Sequence, residues 1–387
     1  MIADIGIALE INCYTQTTAM LNRHSFHWSL MIAVFAFAMP NHIYAQADTL
    51  PKVEIPNTQV LKLNSTIVGQ EYSLYINLPG SYGRDTGKVY PVVYLLDAQY
   101  DFPFMTGVYG GQYYDGFLPE FIIVGITWGG KDPNAGMLRG RDFTPTSIGQ
   151  MPSGQGPKFL AFIKTELIPF IQSQYRVTSD RTLMGSSLGG LFTLYALFND
   201  PSLFHRYVLT SPAVQWDNGV LRTYEQQYEE KGSTTPVKLF MGKGAMETDV
   251  ADFKQFVADL KEKKVPGLEL QTLIMENTGH AGTKPEGYAR GLQWAFERPA
   301  LAVSPTILDR YTGTYLVGTD TVHLSREKGE LIAMPPGNTK IVLKAETDKD
   351  FYVKGMFLKV HFKTDDANRV TGFQLEQSEG SIFAKKI

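Results

Sequence analysis

The sequence predicts an α/β protein with a mostly parallel sheet, followed by a small all-β antiparallel barrel. Three observations carry this reading. Nearly continuous apolar runs alternate with segments of helical spacing as far as about residue 300. From Pro305 the pattern changes to short alternating runs separated by turn residues. The chain, with 387 residues of which 43% are hydrophobic and only 19% charged, is large enough to bury two cores.

Strands are read in "EYSLYINLP", "YPVVYLLD", "EFIIVGITW", "RTLMG", "RYVLTSP", "PVKLFMGKG" and "LELQTLIME". Several are apolar almost throughout, as strands covered by helices on both faces require. Between them, "GPKFLAFIKTELIPFIQSQY" and "VADFKQFVADLKEKK" place apolar residues three and four apart, the spacing of helices with one buried face. "RPALAVSPT" reads as a linker. After it, "GTYLVG", "TVHLSRE", "ELIAMP", "KIVLKAE", "DFYVKG", "LKVHFKT", "VTGFQLEQ" and "SIFAKKI" are short strands with no long helical period among them. The expected organisation is a leader over residues 1–47, an α/β domain over 48–300 and a barrel over 305–387.

The leader is read from "WSLMIAVFAFAM", a short apolar run, and from the small-x-small pattern Ala45, Gln46, Ala47. Arg23 supplies a positive flank, so translation from Met20 fits as well as from Met1. Cys13, the single cysteine, lies upstream of the cut, so the mature chain is expected to hold no disulfide, thiol nucleophile or thiolate metal site. Export as a soluble periplasmic or secreted protein follows, with no membrane attachment after cleavage. The formal net charge of -3 gives no electrostatic reason for a nucleic-acid partner.

The chemistry is sought at "TLMGSSLGGLF". Gly185, Ser186, Ser187, Leu188 and Gly189 form a GxSxG pattern entered by a strand and left by a helix. Such a turn holds its serine in an unfavourable backbone conformation, and glycines on either side relieve the crowding. Ser187 is the candidate nucleophile. A serine needs a base, and His280, after the last apolar strand in "MENTGHAG", is the candidate; His205, His323 and His361 are the alternatives. The acid that would orient the imidazole is sought after the preceding strand, in "KLFMGKGAMETDV". Glu247 is preferred to Asp249 because it is nearer the strand end. The oxyanion donors would be the backbone amides of Leu188 and of Ala98 or Gln99, the latter pair in the turn after "VVYLLD". No cofactor and no metal is implied.

Taken together and in order, "YPVVYLLDAQYDF", "PEFIIVGI", "RGRDFTPT", "GSSLGGLFTLYALF", "VLTSPAVQW" and "NTGHAG" resemble the putative esterase family of α/β hydrolases, which includes enterochelin (siderophore), feruloyl and esterase D-like enzymes. The resemblance covers roughly Lys62 to Pro299 and implies a serine ester hydrolase with Ser187 and His280 at matched positions. Two departures are Ala98, where relatives often have glycine, and Thr278, where they often carry an acid. Arg139 and Arg141 fall on a loop that in such enzymes borders the cleft. A guanidinium there would bind a substrate carboxylate or aromatic group, or pin the loop through Asp142. Tyr100, Phe102, Phe104 and Trp216 are candidates for an apolar pocket. The segment opening with "YTGTY" resembles the lipocalin-like barrel that follows some penicillin-binding-protein-like serine hydrolases, which implies an accessory module that mediates oligomerisation or covers the active-site mouth.

The expected function is hydrolysis of a small-molecule or oligosaccharide-linked ester (siderophore, feruloyl or acetyl) through an acyl-enzyme. Acyl transfer to an alcohol, as in mycolyltransferase-like relatives, and ligand binding without turnover on a hydrolase scaffold are the competing readings.

Overall fold

The computed structural model describes residues 51–387 except 233–234, 298–300, 338 and 379. The expected leader, its cleavage pattern and Cys13 lie outside the described residues.

Eight strands form one sheet: β1 (Thr58–Ser65), β2 (Gln70–Asn77), β3 (Tyr90–Leu95), β4 (Ile122–Trp128), β5 (Val177–Ser186), β6 (Arg206–Thr210), β7 (Val237–Gly244) and β8 (Leu268–Met275). Their order is β1-β2-β4-β3-β5-β6-β7-β8. From β4 to β8 every pairing is parallel, while β2 runs antiparallel to both β1 and β4. All seven residues of β4 are buried, and β5, β6 and β7 are buried over most of their C-terminal halves. This is the signature of a sheet with helices on both faces. The strand order reverses beside β3, between β4 and β5, and the crevice outside the C-terminal ends of such strands is where α/β sheets take their ligands.

The helices are α1 (Ala98–Tyr114), α2 (Ala135–Phe143), α3 (Gly156–Phe162), α4 (Ile168–Gln174), α5 (Leu188–Asn199), α6 (Trp216–Gly219), α7 (Leu221–Lys231), α8 (Val250–Glu262) and α9 (Thr283–Ala295). The single helix expected over "GPKFLAFIKTELIPFIQSQY" is three pieces, because a π-helical turn, Ile163–Leu167, separates α3 from α4. Pro169 is the cause we assign: it has no amide to return to Thr165, and its ring crowds the preceding turn.

The β-rich segment closes into a barrel of β9 (Gly313–Val317), β10 (Asp320–Glu327), β11 (Glu330–Met334), β12 (Ile341–Ala345), β13 (Asp350–Tyr352), β14 (Leu358–Thr364), β15 (Val370–Gln377) and β16 (Gly380–Lys386). Every neighbour is antiparallel, and β16 returns to β9. The eight alternating runs of the sequence are these eight strands. Their inward residues and Tyr311, from the segment before β9, fill the interior: Tyr311 stacks on Phe362 at 3.8 Å between centroids, and Phe362 meets Phe351 and Phe373 edge-on. A barrel of this size is closed by its own side chains. The linker is not wholly irregular. Its last residues start α10 (Pro305–Tyr311), with Ser304 accepting from the Ile307 amide at the N-terminus and Leu308 and Tyr311 buried in the barrel core.

Sheet and barrel belong to one compact unit, Ile55–Ile387. They meet at the C-terminal ends of α1 and α9. Tyr113 packs on Phe357 at 5.1 Å, and Lys354 pairs with Glu297 at 2.7 Å. At Gly116, whose φ is +72°, a Cβ would lie 2.5 Å from the Met356 carbonyl oxygen. Both helices begin at the C-terminal edge of the sheet and run back to its N-terminal edge; the 17 residues of α1 span ~25 Å. The barrel therefore docks on the far edge of the sheet and does not cover the mouth above Ser187, which corrects that expectation.

Candidate active site

Ser187 sits between β5 and α5 with φ 60° and ψ -119°, a conformation that costs any residue but glycine. The preceding strand end and the following helix approach so closely that a Cβ on Gly185 would lie 2.5 Å from the Gly189 carbonyl oxygen. Gly190 is needed against a different neighbour, Pro212, whose Cα would be 3.1 Å away. The turn is fixed from β6, where the Thr210 carbonyl accepts from the Ser187 amide at 3.1 Å. Ser187 and Leu188 are both partly exposed.

A second sharp turn lies beside it on β3. Asp97, φ 53°, is followed by Ala98 and Gln99, the first two residues of α1. The amides that open a helix have no acceptor within it, and here two helix starts, that of α5 with Leu188 and that of α1 with Ala98 and Gln99, face the same edge of the sheet. The side-chain nitrogen and oxygen of Gln99 are buried with no hydrogen-bond partner.

Arg139, from α2, grips Asp97 with two hydrogen bonds, Nε to Oδ1 at 3.0 Å and Nη2 to Oδ2 at 2.8 Å. Oδ2 of this aspartate is also the atom nearest a Cβ built on Gly189, at 3.5 Å, so one ion pair braces both turns. Arg141 is held by Asp142 through Nε and Nη2 at 2.7 and 3.0 Å. Asp142 is fully buried and also accepts from Tyr72 and from the Trp128 indole, each at 2.7 Å. Each arginine that the sequence offered for substrate binding thus carries an internal carboxylate, in the manner of the loop-pinning alternative. Arg139→Met leaves Asp97, 3% exposed, without its cation. The expected cost is about 3 kcal/mol in thermal unfolding, with kcat falling more than KM rises because the turn after β3, beside Ser187, loosens. A change in KM alone would show that Arg139 contacts substrate.

On the other side of β6, the ends of β7 and β8 bring a histidine and a carboxylate together. His280 Nδ1 lies 2.7 Å from Glu247 Oε2. An ionised carboxylate can only accept, so Nδ1 carries the proton and Nε2 is the basic nitrogen. The imidazole is 55% exposed and the carboxylate only 5%. Glu247 Oε1 accepts from Ser211 Oγ at 2.7 Å and the Gly244 amide at 2.9 Å, and Lys243 Nζ stands 3.0 Å from Oε2. Burial alone would push this carboxyl up; the bonds from Ser211, His280, the Gly244 amide and Lys243 outweigh it and hold it down at about 2. Asp249, the alternative acid, is turned away: it takes Lys243 Nζ at 2.6 Å and the Gln215 amide.

The two loops are stitched together. The Met246 amide donates to Thr278 O at 3.1 Å, and that same oxygen would be 2.3 Å from a Cβ on Gly244. Thr283 Oγ1 donates to His280 O at 2.8 Å and meets Ser211 Oγ at 2.9 Å. Lys284, at the start of α9, reaches Asp101 of α1 at 2.6 Å.

Ser211, Lys243 and Thr283 were not singled out by the sequence reading. A lysine near the end of an apolar strand, four and six residues before candidate acids, as in "FMGKGAMETD", is the signal that could have found Lys243. The other candidates stand elsewhere. His205 immediately precedes β6 at the opposite edge of the sheet, 3.6 Å from Asp180. His323 and His361 lie on barrel strands, the latter bound to Asp350. Trp216 is half-buried and donates to Thr146 O at 3.3 Å. Phe102 is core, Phe104 stacks on Tyr288, and Tyr100 is 60% exposed. Among the described residues no group of three metal-ligating side chains converges, and no helix is long and apolar enough to cross a membrane.

Residues 65–263, just over half the chain, match the family described as "Putative esterase". The ferri-bacillibactin esterase BesA of Bacillus subtilis is 28% identical over 269 residues, which are 62% of this chain and 90% of that enzyme. A siderophore enterobactin esterase of Emericella nidulans is 29% identical over 164 residues, 38% of this chain and 54% of the fungal one. Among solved structures, the BES protein of Bacillus cereus superposes with a TM-score of 0.59 at 25% identity, covering 65% of this chain and 99% of that one. An IroE-like serine hydrolase of Shewanella oneidensis gives 0.56 at 26% identity, covering 66% and 85%. With the fold, the family match and these relatives in agreement, the chain belongs to the Putative esterase family and is a carboxylic ester hydrolase.

Proposed function

We propose that the protein hydrolyses an ester through an acyl-enzyme on Ser187, and that its substrate is an ester of a siderophore. The observation that carries the mechanism is the His280–Glu247 pair: a buried carboxylate held ionised on Nδ1 of an imidazole whose other face is open. In this reading His280 Nε2 takes the Ser187 proton as Oγ attacks the ester carbonyl, and the imidazolium returns it to the departing alkoxide. The carbonyl oxygen, negative in the tetrahedral intermediate, is met by the amides of Leu188 and of Ala98 or Gln99, each worth roughly 3 kcal/mol. Water then attacks the acyl-enzyme with His280 again as base, releasing the acid and restoring Ser187. The exposed His280 favours water over a sheltered alcohol as the second nucleophile.

The substrate class rests on the relatives, named as esterases of ferri-bacillibactin and of enterobactin. The apolar run and small-x-small pattern before Asp48 support export to the periplasm or beyond, and the barrel is assigned as an accessory module over 305–387. The test is a comparison of ester classes: a catecholate or hydroxamate siderophore ester, p-nitrophenyl esters from acetate to octanoate, and methyl ferulate, with mass spectrometry of the protein after diisopropyl fluorophosphate. The expected result is kcat/KM highest for a siderophore ester and one phosphoryl adduct on Ser187. Turnover without a Ser187 adduct overturns the mechanism, and a preference for methyl ferulate overturns the substrate.

A further inference from the structure

Where the barrel meets the far ends of α1 and α9 the two do not close fully on one another. They leave a cleft of about 730 Å³, within the size range of small-molecule sites, which form preferentially at such junctions. One wall carries Tyr113 and Trp294, the other Tyr352 and Phe357. The lining includes five cations, Lys238, Arg290, Lys344, Lys354 and Lys359, against three carboxylates, Glu269, Glu297 and Glu346.

The pairing of these charges is uneven. Lys354 is taken by Glu297 at 2.7 Å, Lys238 stands 3.9 Å from Glu269, and Lys344 pairs with Glu330. Arg290 and Lys359 have no carboxylate partner among the described residues. Arg290 Nη1 donates to Gln293 Oε1 at 3.1 Å, and Lys359 Nζ lies 5.4 Å from the centre of the Phe357 ring. Both are exposed to the cleft's solvent. Flat apolar surface next to uncompensated positive charge selects a ligand that is itself flat and negative.

We propose that this cleft is a second binding site, separate from the ester-cleaving one, for an aromatic anion such as an aryl carboxylate or aryl sulfonate. The ring lies against Trp294 and Phe357, and Arg290 and Lys359 meet the charge. Because the walls come from both the α/β layer and the barrel, the site exists only in the whole chain.

The probes are 1-naphthoate and its uncharged counterpart 1-naphthalenemethanol, titrated into the full-length mature protein and followed by tryptophan fluorescence and calorimetry. The expected result is one saturable site that prefers the anion by about tenfold or more. The double variant Arg290→Gln, Lys359→Gln should lose that preference while keeping the parent's kcat/KM for p-nitrophenyl butyrate. If that variant does not fold, Trp294→Leu should weaken both probes. No saturable binding, equal affinity for both probes, or a preference unchanged in the variants overturns the proposal. So does competitive inhibition of ester hydrolysis by 1-naphthoate at its binding constant, since the anion would then occupy the catalytic cleft.

Discussion

On the proposed mechanism Ser187→Ala is expected to lower kcat/KM for p-nitrophenyl butyrate by at least about 10³-fold, because the amides proposed as oxyanion donors remain but nothing attacks the carbonyl. Ser187→Gly is equally inactive and unfolds at a higher temperature than the parent. The reason is local: φ 60° and ψ -119° penalise serine and alanine alike by about 1–3 kcal/mol, and glycine adopts them freely. Glycine also has more freedom to lose on folding, so the net gain is expected near 1 kcal/mol. Circular dichroism melts of parent, alanine and glycine variants decide the matter. A glycine variant less stable than the alanine one would mean that the turn is not strained, and residual turnover in both would remove Ser187 from the reaction.

Glu247→Gln is the second large effect, with kcat expected to fall by about 10⁴-fold, since an amide neither stabilises the imidazolium nor fixes the Nδ1–H tautomer. The substitution also changes stability with pH. In the folded protein the Glu247 carboxyl is lowered from 4.5 to about 2, so its contribution is fully present above pH 4.5 and is lost as pH falls through 2. Allowing for solvent at the edge of the cleft, that contribution is on the order of 2 kcal/mol. The parent should therefore lose stability between pH 4.5 and 2 more steeply than the glutamine variant, as read by urea unfolding across that range. Parallel curves would place the pairing partner of His280 elsewhere. Lys243 keeps Asp249 as a partner in the variant, which limits the damage to the buried ammonium.

What could be read beforehand depended on how each feature is encoded. The barrel was legible strand by strand because period-two alternation and turn residues repeat along it. The buried parallel strands were legible as unbroken apolar runs. By contrast α1 was not singled out: its sequence holds Pro103, Gly107, Gly110 and Gly111, all poor helix formers, and packing alone keeps it helical. β1 escaped because it is an edge strand with little buried surface. At the candidate site, Ser187, His280 and Glu247 could be nominated because each follows a strand end in a fixed order, and the structure brings His280 and Glu247 together. The choice of Glu247 over Asp249 rested only on chain position, whereas the structure separates them through Lys243, Ser211 and the Gly244 amide. Those contacts are long-range or backbone-borne and leave no periodic trace. The pairing of Arg139 with Asp97, 42 residues apart, is of the same kind.

The placement of the barrel has one more consequence. A module docked on the sheet's far edge adds bulk to the molecule without adding any roof to the reaction, so steric selection at the ester falls to the loops around α2, α6 and the His280 turn. With His280 itself 55% exposed, the carbonyl can be presented by a rigid or bulky body that never enters the protein, docking by one protruding bond. On the proposed mechanism size exclusion is then a weak filter, and selectivity is expected to come from what the rim touches beyond the bond that is cut.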